Sequence, residues 1–352
     1  MRIGIITPAP PRSRYGNRVT ALRWARILRE LGHQVSVAMA YEGQPYDLLV
    51  ALHARRSYPS VRRFNRDHPD RPLIVALTGT DLYRDLPRSR SAHYALELAT
   101  RIVALQPKAQ KELQSRLHHK VRVIYQSFPA RPRHAAPPLD SHRAFDVCVI
   151  GHLRPVKDPF RTALAARRLP PGSRIRILHL GGAMDEKMAE RARTEMKLNP
   201  RYRWLGEQSR ARVQQILARS ALCVLSSRLE GGANVLSEAI VAGTPVLASR
   251  IAGSVGILGD DYAGYFNVRD SEGLARLMDR AERDPVFLAG LKSHCARLKP
   301  LFNPARELTA WRRLILECRA AGSLQASGTD NGPSIRFTFP HTVARTLGTC
   351  KS

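Results

Sequence analysis

Apolar residues recur along this chain in short compact runs, separated by longer stretches where they return every three or four positions. The runs at 2–7, 34–40, 48–51, 73–77, 101–104 and 121–125 are too short for core helices and read as largely buried strands. Between the first two, Val19, Leu22, Ala25, Ile27, Leu28 and Leu31 recur near helical period over 18–31, and Gly32 follows as a C-cap. Strand, loop, helix, glycine and strand in that order open a Rossmann-like half. A Pro-, Ala- and Arg-rich stretch, 129–142, has no periodicity and reads as a linker. The pattern then restarts, with strands at 145–150, 174–180, 221–225 and 246–248 and helices at 159–168, 184–198 and 233–241. In a last helix, 305–318, Leu308, Trp311, Leu314 and Ile315 share a face. Gly, Ser, Thr, Asn and Pro dominate 320–352, a tail predicted to be disordered, in which 335–339 could pair weakly. The expectation is an α/β protein of two Rossmann-like domains, 1–138 and 143–303, facing across a cleft.

Composition narrows the partners. The 352 residues are 43% hydrophobic and 24% charged, as in a globular protein, but Lys and Arg exceed Asp and Glu by 28. Such an excess calls for anionic partners: nucleic acid, an acidic membrane surface, or phosphorylated small molecules. A specific nucleic-acid binder is disfavoured, because no basic helix with interleaved aromatics is present. No apolar run is long enough to span a membrane, and the apolar start is too short for a signal peptide. Cys148, Cys223, Cys295, Cys318 and Cys350 are widely spaced and form no CxxC pair. They read as reduced thiols of a cytoplasmic protein, with Cys148 and Cys223 packed inside strands.

Two segments carry chemistry. In 230–239, Gly231 and Gly232 end a strand-to-helix loop, followed by Ala233, Asn234 and Val235 at the helix start. Glu230 precedes that helix, and Glu238, eight positions on, lies within it. The glycines permit close approach of a ligand, and free N–H groups at the helix start attract an anion. Glu238 could accept both hydroxyls of a ribose, and Glu230 those of a second sugar. An ordinary surface helix with a glycine-rich entry is the plain alternative. Gly151, His152, Arg154 and Lys157 follow the strand 145–150, where a diphosphate would sit in a parallel sheet, although a solvated basic turn would look the same.

Together these residues resemble the retaining-type, family 4-like nucleotide-sugar glycosyltransferases of GT-B architecture. Glu230 and Glu238 match that family's paired carboxylates, and Gly151, Leu153 and Lys157 match its upstream basic loop. His152 stands where the family carries arginine, which Arg154 could replace. The resemblance implies that the helix 305–318 crosses back to the first domain, and that the first domain holds the acceptor. It implies that Arg154, Lys157 and the helix start after Gly232 stabilise charge on the departing diphosphate, with Glu230 on the transferred sugar.

The first half is peculiar for that family. Thr78 stands near a position where relatives often carry histidine, against a standard hydroxyl acceptor. The run of motifs at 16–21, 52–57, 77–83, 105–109, 125–127, 151–159 and 229–239 is similar to the selenosugar synthases of selenoneine biosynthesis. That resemblance implies transfer of a sugar from UDP-N-acetylglucosamine or UDP-glucose to selenophosphate, giving a selenosugar, UDP and phosphate. A small, multiply charged acceptor needs clustered guanidiniums and helix-terminal amides. Asn17, Arg18, His53, Arg55, Arg56, Thr78 and Thr80 are the acceptor candidates. Any one of these arginines could be idle surface, and His53 an ordinary core histidine. No metal or cofactor is expected, since Asp260-Asp261 resembles a turn more than a metal loop. The open alternatives are a conventional transferase acting on a lipid-linked or saccharide acceptor at the inner membrane face, attracted weakly by anionic lipid, and a catalytically silent relative.

Overall fold

The computed structural model describes residues 1–13, 15–129 and 144–327. The first domain contains strands β1 (Arg2–Ile6), β2 (Gln34–Ala38), β3 (Leu48–Leu52), β4 (Leu73–Ala76), β5 (Arg101–Ala104) and β6 (Val121–Val123), with helices α1 (Gly16–Glu30), α2 (Tyr58–Asp67) and α3 (Arg90–Leu98). The second contains β7 (Phe145–Ile150), β8 (Ile175–Leu180), β9 (Tyr202–Trp204), β10 (Leu222–Leu225), β11 (Val246–Ser249) and β12 (Tyr265–Phe266). Its helices are α4 (Arg161–Ala166), α5 (Glu186–Leu198), α6 (Arg210–Arg219), α7 (Asn234–Ala242), α8 (Ala252–Leu258), α9 (Ser271–Arg283) and α10 (Pro285–Leu298), and α11 (Pro304–Ser327) closes the chain.

Each domain is built on one six-stranded sheet, paired throughout in parallel: β2-β1-β3-β4-β5-β6 and β12-β11-β10-β7-β8-β9. A parallel ladder needs crossovers that cover both faces, so its strands are apolar all round. Accordingly β3 and β4 are buried at every position. Strand order reverses between β1 and β3 in the first sheet and between β7 and β10 in the second. Those switch points leave crevices at the carboxyl ends of the strands. The loops after β1, β3, β7 and β10, which carry most of the candidate residues, border those two crevices.

All the strands read from apolar runs are present, some trimmed, as where β2 stops at Ala38 and β6 at Val123, and some a residue longer, as where β3 reaches Leu52 and β11 reaches Ser249. The helix expected at 159–168 shrinks to α4, with Phe160 as its N-cap and Pro170 just beyond it. The last helix corrects the expectation of a disordered segment from 320 onward. It continues to Ser327, because Ala320, Ala321, Leu324 and Ala326 are good helix formers that outweigh one glycine. Residues 328–352, with the run 335–339, lie outside the described residues, as do 130–142 of the expected linker.

The second domain has one large core and a small satellite of Leu153, Phe160 and Ala192, whereas the first sheet is covered on two faces by separate clusters. One of those faces is sealed by α11: Trp311, Leu314, Ile315 and Cys318 pack with Ile3, Ile5, Trp24 and Leu28. Each such side chain contributes about 1.5–3 kcal/mol relative to exposure. Trp24 and Trp311 meet edge to face with centroids 4.9 Å apart. Glu307, buried at the start of α11, accepts from Trp24 Nε1 at 2.9 Å, Ser127 N at 2.8 Å and Ser127 Oγ at 2.5 Å. The final helix thus belongs physically to the first domain. Cys148 and Cys223 are buried register partners in adjacent strands β7 and β10, as the apolar runs suggested.

Candidate functional site

On the second domain the site is assembled from the loops after β7 and β10. Beneath the first loop, His179 on β8 is wholly buried. Its Nδ1 lies 2.8 Å from Tyr202 Oη and its Nε2 lies 3.2 Å from Gly151 O. Burial depresses its pKa to about 4, so the ring is neutral at pH 7. The partners then fix the tautomer: Tyr202 donates to Nδ1, and Nε2–H holds the Gly151 carbonyl. His152 accepts the Gly182 N–H on Nδ1 at 3.2 Å, which leaves its Nε2–H as a donor.

Further along that loop, Asp158 sits in the left-handed region with φ 44°. Arg161 Nε holds its carboxylate at 2.9 Å, with Arg228 3.5 Å away. Such a conformation costs a non-glycine residue roughly 1 kcal/mol or more and persists only where surroundings impose it. Ser226 Oγ lies 3.1 and 3.0 Å from the carbonyls of Lys157 and Asp158, and Arg228 N donates to Val156 O at 2.8 Å. The two loops are therefore stitched together along their length. Lys157 Nζ meets Glu230 Oε1, which also accepts from Ser227 Oγ at 2.6 Å. The lysine and the first carboxylate, far apart in sequence, form one ion pair at the mouth of the switch point.

Glycines 231 and 232 then lead into α7, whose N-cap Ala233 provides no side-chain cap. Orphan N–H groups of the first turn therefore remain for a ligand. Glu238 lies farther along α7, half-buried; burial raises its pKa, opposed by the positive charges of Arg210 and Arg23.

The first domain meets this surface directly. A Cβ on Gly231 would lie 2.6 Å from the Thr78 carbonyl carbon, and one on Gly79 would lie 2.6 Å from Gly231 N. Gly79 also has φ +122°, which favours glycine. A Cβ on Gly232 would fall 2.6 Å from Leu105 Cβ. Backbone thus approaches backbone across the cleft. Arg23 Nη2 donates to Asn234 Oδ1 at 3.0 Å, Lys108 Nζ lies 2.8 Å from Asp260 Oδ2, and the Arg154 guanidinium lies 6.0 Å from the Tyr15 ring centroid.

Among the acceptor candidates the structure separates free groups from committed ones. Asp81, fully buried, takes the N–H groups of Thr78 and Gly79 at 2.9 Å, that of Ala54 at 3.1 Å and the Thr78 hydroxyl at 3.2 Å. One carboxylate thereby ties the loop after β4 to the loop after β3. His53, at φ +74°, is buried rather than lining an open surface. Burial lowers its pKa, and Arg56 N donates to Nδ1 at 3.3 Å, so Nε2 carries the proton. That N–H faces Thr80 Oγ1 at 3.4 Å and Asp85 Oδ2 at 3.6 Å. With its oxygen facing an N–H, Thr80 keeps its own proton to donate elsewhere.

Arg55 is committed to Asp85 at 2.9 Å, which Arg84 shares at 3.2 Å. Arg56 is exposed, Asn17 is half-buried beside the start of α1, and that start has no side-chain cap. Arg18 has a buried Nε without a hydrogen-bond partner. Arg18, Thr80 and the first turn of α1 are thus available to a ligand, whereas His53, Thr78 and Arg55 position other groups. Among the described residues, no group of three or more His, Cys, Asp or Glu is placed to hold a metal ion, and no helix is long and apolar enough to cross a membrane.

Sequence reasoning missed Asp81, Asp158, Ser227, Arg228, His179 and Arg23. An aspartate two or three residues after a glycine-containing turn was a signal for Asp81, since such side chains cap their own loops. Ser227 and Asp158 have partners three positions on, Glu230 and Arg161, a spacing too common to single out, whereas His179, Arg228 and Arg23 act on partners distant in sequence.

Residues 133–299 match the family described as glycosyl transferases group 1. Among solved structures, Anabaena HepE in complex with UDP and glucose is 16% identical, with a TM-score of 0.70 over 91% of this chain and 100% of its own. Sucrose-phosphate synthase from Thermosynechococcus elongatus is 17% identical, with a TM-score of 0.70 over 91% of this chain and 99% of its own. A glycosyltransferase from Rickettsia africae is 14% identical, again with a TM-score of 0.70, over 91% and 98%. No curated protein matches in sequence. These likenesses establish the fold as two Rossmann-like domains of the GT-B kind.

Proposed function

We propose that this chain, whose residues 133–299 match the group 1 glycosyl transferases, transfers the sugar of a UDP-sugar to selenophosphate. The observation that carries the donor half is the convergence of Lys157, Glu230, the Gly151 loop and the uncapped start of α7 at one switch point. A diphosphate entering there takes Lys157 from Glu230 and frees that carboxylate for sugar hydroxyls. Two of the similar structures contain UDP, with glucose or alone.

The acceptor half rests on the cleft. Gly79 and Gly231 bring the domains into backbone contact, which leaves little width for a bulky acceptor beside them. The first domain offers donors there: the open first turn of α1, Arg18, and the Thr80 hydroxyl backed by His53. A small oxyanion suits that set, and the uncharged His53 is not required as a base, because selenium in selenophosphate is already nucleophilic.

In the reaction, a selenium lone pair forms the C1–Se bond while the C1–O bond breaks, its electron pair passing to the β-phosphate of UDP. Lys157, Arg154 and the α7 amides stabilise that charge by fixed electrostatics. Water then takes the phosphoryl group, the Se–P electrons remain on selenium with a proton, and phosphate leaves. The free, buried thiols of Cys148, Cys223, Cys295 and Cys318 support a cytoplasmic setting for this reaction.

Incubation with UDP-N-acetylglucosamine or UDP-glucose and selenophosphate should yield a selenosugar by mass spectrometry. UDP release without selenium in the product, or turnover only with a lipid-linked acceptor, overturns the acceptor. Glu238→Ala should weaken binding of free UDP at least about tenfold, the scale of one charge-assisted hydrogen bond.

A further inference from the structure

The strongest unexplained group in the cleft is a guanidinium of the first domain. Arg23 lies on α1 between buried Thr20 and Trp24 and reaches across to the second domain, where its Nη2 donates to Asn234 Oδ1 at 3.0 Å. Its Nη1 is buried and has no hydrogen-bond partner. Leaving a buried donor of a charged group unmatched is costly, so this nitrogen calls for an acceptor.

Two carboxylates are near enough to act on that charge, Glu307 and Glu238. Glu307 is already occupied by Trp24 and by both polar groups of Ser127. Glu238 is not so engaged. It stands four residues after Asn234 on α7, one helical turn along the same face, so the contact with Asn234 holds the guanidinium over the side of α7 that carries Glu238. Burial works against both charges, and each favours the other.

We propose that Arg23 is a specificity-determining residue of the nucleotide site, donating from Nη1 to a ribose hydroxyl oxygen whose proton is accepted by Glu238. A phosphate would suit the arginine but be repelled by the carboxylate, and a cation the reverse. A neutral vicinal diol satisfies both, because each hydroxyl donates its proton and still has lone pairs to accept. The first domain thereby takes part in reading the nucleotide, and the ribose bridges the two domains. This rests on the nucleotide reading of the second domain given above.

The test is a cycle of two ligands and three proteins by isothermal titration calorimetry. UDP and 2′-deoxy-UDP are titrated into the full chain and into Arg23→Met and Arg23→Lys, with circular dichroism confirming the fold of each. The full chain should prefer UDP by about tenfold or more. Arg23→Met should cut that preference at least fivefold, and Arg23→Lys, which keeps the charge and a donor but not the fork, should fall between. A preference unchanged within twofold in both variants, even with UDP and its deoxy analogue weakened alike, overturns the proposal and leaves Arg23 as an interdomain contact only. Failure of the full chain to bind UDP at all overturns the nucleotide reading itself.

Discussion

At the scale of single residues, the site depends on groups that touch no substrate. His179 shows this with a sign that can be checked. Its pKa is depressed from 6.5 to about 4, because the buried ring resists charge. The unfolded chain therefore binds a proton below pH 6.5 that the native state refuses. The contribution is fully present above pH 6.5 and is lost as pH falls toward 4, by roughly 3 kcal/mol at about 1.4 kcal/mol per unit. Urea unfolding between pH 7 and 4 should show that slope in the natural chain and a flatter one in His179→Gln. An equal slope in both would remove His179 as its source. Glu230 and Glu238 stood out beforehand, since a carboxylate, a glycine pair and a second carboxylate in one helix entry make a local pattern, and Lys157 stood out in the separate basic loop after β7. Asp81, Asp158 and His179 did not. Asp81 and His179 act on backbone N–H or carbonyl groups, which are common to every residue and invisible in sequence, and Asp158 pairs with Arg161 and Arg228 in a chain where arginine is everywhere.

Among elements, those legible from periodicity were the longer apolar runs and amphipathic stretches: strands β1 to β8, β10 and β11, and helices α1, α5, α7 and α11. The short edge strands β9 and β12, of three and two residues, are too brief to leave a run and were passed over. Helices α6, α9 and α10 were passed over, yet each begins with a side-chain cap: Ser209 accepting from Arg212 N, Asp270 from Gly273 N, and Asp284 from Phe287 N. Those caps were available signals, and Pro285 at the first position of α10 was another. The start of α7 follows the opposite rule. It carries no cap, and its preceding glycines have no room for a methyl group. Gly231→Ala would place a carbon 2.6 Å from the backbone of Thr78. The domains must then separate, and a shift of about 1 Å at the reacting groups costs on the order of a hundredfold in rate. We expect kcat/KM to fall by about that factor while the thermal transition of the second domain stays in place. Full activity in Gly231→Ala would show that the contact with Thr78 and Gly79 is not needed for turnover.

For the molecule as a whole, the net charge of +28 belongs to a protein whose proposed substrates are all anions. Many of the arginines are spent on pairs at the surface, such as Arg193 with Glu186 and Arg276 with Glu272, far from any cleft residue in sequence. Those exposed pairs contribute little to stability. The unpaired remainder raises the local concentration of anions and is screened over about 10 Å at 0.1 M salt. Stopped-flow measurement should show the association rate of UDP falling about tenfold between 50 and 500 mM sodium chloride, with dissociation nearly unchanged. A rate indifferent to salt would mean that the excess charge plays no part in capture.

The return of α11 to the first sheet sets an order of events during synthesis. Ser127 and Glu307 are hydrogen-bonded across 180 residues of sequence, so the amino-terminal half leaves the ribosome with one sheet face covered by α1 alone and the side of Trp24 that meets α11 bare. At about 5–20 residues per second, that face waits roughly 10–35 s for its lid, long enough for the second domain to fold in between. The carboxyl-terminal domain is therefore the earlier of the two to be finished, and a ribosome stalled before residue 304 would hold a half-built protein whose most exposed apolar surface lies near its beginning.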